Sequence, residues 1–283
     1  MSARGRLLSG LLTIVTALAG FATAGVQPAA AKPATVQYVA LGDSYAAGTA
    51  TGGVPRNCPH SPDGYPALLD LKARIELTAN AACAGATTDE VRDQLSALAD
   101  DTRLVTLTVG GADLGVSTVA RTCTTGPASP ECQAAINNAL ARLVVPPGGE
   151  SVLGGRLTDL YADVADAAPN ARIVVTGYPL LFEPLPATDP KAAIIRAINE
   201  ATIALNETIE RAVTKAQAAN INITYVDVTA AFAEHGIGSM DPFIHNLPDS
   251  EAFHPNAAGY RAYAHAIKTE VWRALLDEDK QLV

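Results

Sequence analysis

Five short runs rich in valine, isoleucine and leucine are spread along the chain and separated by much longer segments. The runs are Thr35–Leu41, Ile75–Ala79, Leu104–Val109, Arg172–Thr176 and Ile221–Val226. Runs of this kind are typical of strands that are covered on both faces, as in a parallel sheet. The long segments between them predict crossover helices. The pattern therefore predicts a three-layer α/β fold with helices on both faces of the sheet.

The segment between the last two runs has the clearest helical periodicity. Asp189 and Pro190 fit the N-cap and the first turn of a helix. An apolar stripe at helical spacing then extends from Ile195 to Val213. We interpret this stripe as a face packed on the sheet, with a membrane-binding or partner-binding face as the alternative. Ligands of such folds bind beyond the carboxyl ends of the strands, so we expect functional residues in the loops that follow the runs.

Residues 1–31 fit a secretory signal peptide. Two arginines precede an apolar run over residues 7–24, and small residues offer cleavage after Ala24 or Ala31. An uncleaved membrane anchor is the alternative, because the segment has no charge after its arginines, but no stop-transfer cluster of charges follows it. We therefore expect a secreted protein without a stable membrane anchor, in which residues 32–283 form a single domain.

The composition fits a folded domain and excludes one class of partner. Hydrophobic residues make up 48% of the 283 residues and charged residues 17%, which predicts a buried core rather than a disordered chain. The net charge of −9 argues against a nucleic-acid partner, because binding to phosphate backbones requires a basic surface.

All four cysteines lie in the part of the chain expected to be exported. They are Cys58, Cys83, Cys123 and Cys132. An even number in an oxidising compartment predicts two disulfides, and the sequence alone leaves the pairing open. We predict no metal site, since the chain has no C-x-x-C motif and no histidine at ligand spacing from a cysteine.

A serine follows the first predicted strand. In Leu41-Gly42-Asp43-Ser44 the glycine allows a tight turn, and the serine would begin the next helix. Its hydroxyl would then lie at the edge of the sheet, and its N–H near the positive end of the helix dipole could hold an oxyanion. On these residues alone, an ordinary N-cap serine is the alternative.

A histidine near the other end of the chain has a suitable position to act on this serine. His254 directly precedes Pro255, which disfavours a helical conformation for the histidine and favours the start of a helix at the proline. His254 should therefore lie at the end of a loop. A serine and a histidine on such loops fit nucleophilic acyl transfer, in which the histidine takes the serine proton. A hydrogen-bonded structural histidine is the alternative.

Four sequence blocks in chain order resemble the SGNH (GDSL) hydrolase family, and most of all its disulfide-containing secreted actinobacterial lipases and esterases. The blocks are Gly42-Asp43-Ser44 with Gly48, Asn80–Thr88, Gly110–Asp113 and Glu251–His254. The resemblance extends from residue 36 to about residue 266. It implies a flavodoxin-like fold with about five parallel strands flanked by helices.

The resemblance also implies roles for individual residues. Ser44 would be the nucleophile and His254 its general base, and the N–H groups of Ser44 and Gly85 would contribute to the oxyanion hole. It further implies the disulfides Cys58–Cys83 and Cys123–Cys132.

The chain departs from the family pattern at two positions. The family has an oxyanion-binding asparagine where this chain has Ala112, so the side-chain donor is lost. The family usually has an aspartate three residues before the histidine, and this chain has Glu251. We expect either the Glu251 side chain or a main-chain carbonyl at this position to orient His254, with Asp249 as a further candidate.

These features together predict a secreted, monomeric serine hydrolase that cleaves carboxylic esters through an acyl-enzyme intermediate. Its substrate would be a small-molecule or lipid ester, and no cofactor or metal would be needed. One alternative is an O-deacetylase of carbohydrate esters on the same fold. Another is an inactive extracellular binding protein, for which the loss of the amide at Ala112 is the motive.

Overall fold

The computed structural model describes residues 35–49, 58–70, 74–127 and 129–281. The predicted signal peptide, residues 1–31, lies outside these ranges.

A parallel sheet of five strands lies at the centre of the described structure. The strands are β1 (Val36–Gly42), β2 (Ile75–Asn80), β3 (Leu104–Thr108), β4 (Arg172–Thr176) and β5 (Ile223–Val226). Their order in the sheet is β2-β1-β3-β4-β5, with every neighbouring pair parallel. This is the flavodoxin-like strand order. It confirms the predicted α/β fold, and each strand lies within or beside one of the apolar runs.

Helices connect and flank the strands. The α-helices in the described part of the chain are α1 (Ser44–Ala47), α2 (Tyr65–Asp70), α3 (Thr88–Gln94), α4 (Gly111–Leu114), α5 (Val116–Thr125), α6 (Pro130–Ala141), α7 (Val152–Ala167), α8 (Ala192–Ala218) and α9 (Ala257–Gln281). Short 3₁₀ turns span Leu95–Ala97 and Thr229–Phe232. Among the described residues, no helix is both long and apolar enough to cross a membrane.

Right-handed crossovers distribute the helices over the two faces of the sheet. The chain passes from β1 to β2 in one direction and from β2 to β3, β4 and β5 in the other. Right-handed connections therefore place α2 on one face and α3, α7 and α8 on the opposite face. The contacts agree, because α2 packs against α9 while α3, α7 and α8 pack in series. Three layers result, as predicted.

The apolar stripe of α8 is buried, but the helix begins later than predicted. Ile195, Leu205 and Val213 are buried within the core. The N-cap is Lys191 rather than Asp189. The Asp189 carboxylate instead accepts a hydrogen bond from the Lys191 N–H at 2.8 Å, an Asx turn that precedes the helix. The prediction of an Asp189 N-cap was therefore wrong.

Two disulfides cross-link segments that flank the sheet. Cys58 pairs with Cys83, which follows β2, and Cys123 of α5 pairs with Cys132 of α6. These are the pairs that the family resemblance implies. The second disulfide joins two helices that are consecutive in the sequence, and both of its cysteines are buried.

We predict that replacing both Cys123 and Cys132 by alanine lowers the free energy of unfolding by about 2–3 kcal/mol. The disulfide closes a loop with a sequence separation of 9 residues, and a cross-link of this size removes a corresponding loop entropy from the unfolded chain. Urea unfolding followed by circular dichroism measures the change. Peptide mapping without reduction provides the control, and crossed pairs or free thiols would contradict the assignment.

Candidate active site

Ser44 begins helix α1 directly beyond the carboxyl end of β1. Its neighbour Asp43 is the N-cap of the helix, and its carboxylate accepts a hydrogen bond from the Tyr45 N–H at 2.9 Å. The capping function therefore belongs to Asp43. The Ser44 hydroxyl makes a different contact, with a residue from the far end of the chain.

His254 lies at hydrogen-bond distance from Ser44, although 210 residues separate them. Nε2 of the imidazole is 2.7 Å from Ser44 Oγ. Nδ1 is 3.1 Å from the main-chain oxygen of Ala252. If Nδ1 carries the proton and donates it to this carbonyl, Nε2 is free to accept the serine proton. The arrangement thus has the geometry of a nucleophile and its general base.

The loop before α9 holds His254 in this position. The main-chain N–H of His245 donates to His254 O at 2.9 Å, and that of Phe253 donates to His245 O at 2.8 Å. Phe253 has a φ of +70°, an unusual conformation for a residue with a side chain, which the surrounding contacts must maintain. One of these contacts comes from α1, where the Tyr45 hydroxyl donates to Phe253 O at 2.7 Å. The serine helix and the histidine loop are therefore directly linked.

Either the Glu251 side chain or a main-chain carbonyl at its position is expected from the sequence to orient the imidazole. The acceptor near Nδ1 is a main-chain carbonyl, that of the next residue, Ala252, whereas the Glu251 carboxylate accepts a hydrogen bond from Thr49 Oγ1 at 3.1 Å. The further candidate Asp249 instead contacts Nδ1 of His245 at 2.8 Å. A main-chain acceptor leaves no trace in the sequence, because every residue has a carbonyl.

Burial keeps the imidazole neutral. His254 is 6% exposed, and this desolvation lowers its pKa below the ordinary value. The Ala252 carbonyl and the Glu251 charge act in the opposite direction and do not overcome the effect of burial. A histidine with a lowered pKa is deprotonated at neutral pH, which is the state that a general base requires.

The two blocks expected to form the oxyanion hole lie beside Ser44. Gly85 and Ala112 line the same cavity as Ser44 and His254. Gly85 has a φ of +86°, which favours glycine at this position. Ala112 is in α4, and the next residue, Asp113, binds the start of α3: its carboxylate accepts hydrogen bonds from the Thr88 N–H at 2.9 Å and the Thr88 hydroxyl at 2.7 Å. The two blocks are thereby fixed relative to each other.

Tyr178 is a site residue that the sequence analysis missed. Its hydroxyl donates to the Asp43 carboxylate at 2.6 Å and accepts a hydrogen bond from the Gly111 N–H at 3.0 Å. Tyr178 follows β4, so the rule that sites lie beyond the carboxyl ends of strands could have identified it. Burial raises the pKa of Asp43 to about 7, while the hydrogen bonds from Tyr178 and from the Tyr45 N–H oppose this rise.

A cavity of about 280 Å³ opens beside Ser44 and His254. This volume is near the lower limit of small-ligand pockets. Its buried lining includes four apolar side chains: Pro179, Leu181, Leu205 and Phe253. Exposed polar side chains form the rim: Ser117, Arg121 and Ser250. Among the described residues, no group of three or more histidine, cysteine, aspartate or glutamate side chains is placed to hold a metal.

A family model for GDSL-like lipases and acylhydrolases matches residues 40–262 of the chain. Two curated relatives align over almost their whole length. Lipase 1 of Streptomyces coelicolor is 32% identical over 274 residues, which cover 90% of this chain and 94% of that protein. The lipase of Streptomyces rimosus is 33% identical over 273 residues, which cover 92% of this chain and 94% of that protein.

Two solved structures of Streptomyces enzymes are also similar to this chain. The extracellular lipase of Streptomyces rimosus superposes with a TM-score of 0.69 at 30% identity, covering 83% of this chain and 99% of the other. Phospholipase A1 of Streptomyces albidoflavus NA297 gives a TM-score of 0.71 at 34% identity, with the same coverage of 83% and 99%. Sequence and structure therefore agree that the chain belongs to the GDSL-like lipase/acylhydrolase family and is an ester hydrolase.

Proposed function

We propose that the protein is a secreted serine hydrolase that cleaves carboxylic esters through an acyl-enzyme on Ser44. The observation that carries this proposal is the 2.7 Å contact between Ser44 Oγ and Nε2 of a buried His254. A serine hydroxyl is a weak nucleophile unless a base takes its proton, and this contact supplies the base.

The first half of the reaction follows from the hydrogen bonds around His254. Ser44 Oγ attacks the ester carbonyl carbon while its proton passes to Nε2. The resulting imidazolium is stabilised through Nδ1–H by the Ala252 carbonyl, 3.1 Å away. Nε2 then protonates the departing alkoxide, which leaves the acyl group on Ser44.

The second half repeats these steps with water. His254 takes a proton from a water molecule that attacks the acyl-enzyme, and Ser44 recovers its proton when the carboxylic acid leaves. In both halves negative charge develops on the carbonyl oxygen. The N–H groups of Ser44 and Gly85 are the donors that we assign to it, and Ala112 contributes no side-chain donor.

Secretion and the class of substrate are also part of the proposal. Two disulfides suit an oxidising compartment, and the relative from Streptomyces rimosus is an extracellular lipase. The relatives are lipases and a phospholipase A1, so a lipid or small acyl ester is the substrate class that we infer. Hydrolysis of acetylated sugars, without hydrolysis of lipid esters or simple acyl esters, would instead indicate a carbohydrate deacetylase.

We predict that Ser44→Ala abolishes ester hydrolysis without unfolding the protein. The substitution removes the nucleophile but leaves the N-cap at Asp43 in place. Steady-state hydrolysis of a nitrophenyl ester and labelling by a fluorophosphonate probe test this. Ser96→Ala is the control. Ser96 lies in the 3₁₀ turn after α3 and does not line the cavity of Ser44, so this variant should keep both the hydrolysis and the labelling. Wild-type turnover by a folded Ser44→Ala protein would refute the serine mechanism.

We predict that Glu251→Gln reduces kcat by less than about tenfold, whereas His254→Ala reduces it by several orders of magnitude. If the Glu251 carboxylate oriented the imidazole, the same change would favour the wrong tautomer and cost about 10⁴ in kcat. The Ala252 carbonyl is unaffected by the change and keeps the proton on Nδ1. Comparison of kcat for the two variants decides between the side chain and the main chain.

We predict that kcat/KM decreases at acidic pH, and that the midpoint of this acid limb of the pH profile lies below 6.5, the ordinary pKa of histidine. Burial lowers the pKa of His254, so the active neutral imidazole persists to lower pH, and activity is lost as the pH falls through this lowered value. Asp43, with a pKa of about 7, is the competing group. A limb that persists in Asp43→Asn belongs to His254, and one that disappears contradicts the assignment.

A further inference from the structure

The lining of the cavity beside Ser44 differs in polarity between its buried and its exposed residues. The buried lining includes the apolar side chains of Pro179, Leu181 and Leu205, called here the apolar side, whereas the rim residues Ser117, Arg121 and Ser250 are exposed and polar. If the proposed function holds, the ester carbonyl lies at Ser44 and the acyl and alcohol parts of the substrate extend away from it. The acyl chain gains more from the apolar side, because burial of apolar surface is favourable. The alcohol part of the ester is then directed to the rim.

Arg121 is the one cationic side chain among the described residues that line this cavity. It lies on α5 four residues after Ser117, another rim residue, so the two share one face of the helix a turn apart. Side chains on a helix lean towards its N-terminus. The N-terminus of α5 directly follows α4, which contributes Gly111 and Ala112 to the cavity wall. The guanidinium is therefore carried back towards the mouth of the cavity.

Among the described residues, no carboxylate pairs with the Arg121 side chain. The chain has a net charge of −9, and several of its arginines form ion pairs. Arginines that form such pairs include Arg92, Arg156, Arg172, Arg196 and Arg211. Within the described part of the chain, no aspartate or glutamate oxygen lies within 4.0 Å of the Arg121 guanidinium. The rim thus presents a free positive charge on an otherwise acidic protein.

We propose that Arg121 selects esters whose alcohol part carries a phosphate or a carboxylate. A guanidinium matches both anions with two parallel N–H donors, and its charge is retained at all physiological pH values. An anion on the alcohol part would lie at the rim while the acyl chain occupies the apolar side. The inference depends on the proposed function and adds to it the chemical class of the leaving group.

The test compares three esters that share a butyryl group: butyryl glycerol 3-phosphate, the butyryl ester of glyceric acid, and monobutyrin, which is neutral. In Arg121→Gln, kcat/KM for the anionic esters relative to monobutyrin should fall about five- to tenfold, as expected for the loss of one exposed charge-assisted contact. Arg121→Glu should lower this ratio further, and Arg121→Lys should retain part of it. In the wild type, 0.5 M salt should reduce the preference for the anionic esters by screening.

The matched control is Arg103→Gln. Arg103 directly precedes β3, so it lies at the amino ends of the parallel strands, away from the active site at their carboxyl ends. This control removes the same charge from the protein. It should leave unchanged the ratio of kcat/KM for the anionic esters to kcat/KM for monobutyrin. The proposal is overturned if Arg121→Gln and Arg121→Glu keep the wild-type ratio, or if the control lowers it equally. A wild-type protein that cleaves none of the three esters and does not react with a fluorophosphonate would refute the proposed function itself.

Discussion

Gly42 crosses the end of β3 so closely that no side chain can be placed there. A Cβ atom on Gly42 would lie 2.2 Å from the carbonyl oxygen of Thr108, and the φ of +132° also favours glycine. The same carbonyl accepts a hydrogen bond from the Asp43 N–H at 2.9 Å, and the buried Gln94 side chain binds both the N–H and the carbonyl of Gly42. The turn from β1 into α1 is thus fixed to the neighbouring strand β3. Because Ser44 follows directly, this turn determines its position.

Polar side chains extend this anchoring through an otherwise apolar core. Asp43 is linked to Tyr178 after β4, and Tyr45 is linked to Phe253 before α9. Beneath them the hydroxyls of Thr108 and Thr176 are 2.6 Å apart. A buried polar group without a partner is costly, whereas a fully paired network adds stiffness and favours one arrangement. The network therefore fixes the distance between two loops that the sequence separates widely.

The elements that follow from local patterns could be predicted from the sequence, and those that follow from tertiary contacts could not. The five strands and the buried face of α8 follow from apolar periodicity, and the placement of Ser44 and His254 follows from their position after a strand and before a proline. The predicted N-cap of α8 was wrong because the Asp189 side chain forms an Asx turn with the Lys191 N–H, before the helix begins. The Ala252 carbonyl and the bridge made by Tyr178 depend on three-dimensional proximity, which no single segment reveals.

This anchoring is more important for the proposed chemistry because the chain has Ala112 where the family resemblance implies an asparagine. The Gly111 N–H is bound to Tyr178, so the donors left in the oxyanion hole that we propose are the main-chain N–H groups of Ser44 and Gly85. A donor is effective when it is already aligned with the developing charge and need not reorganise. The Ser44 N–H lies in the peptide bond that follows Asp43, and the Asp43 carboxylate is held by hydrogen bonds from the Tyr45 N–H and the Tyr178 hydroxyl. A site with fewer donors thus depends more on the rigidity of each, and the buried contacts of Asp43 provide that rigidity.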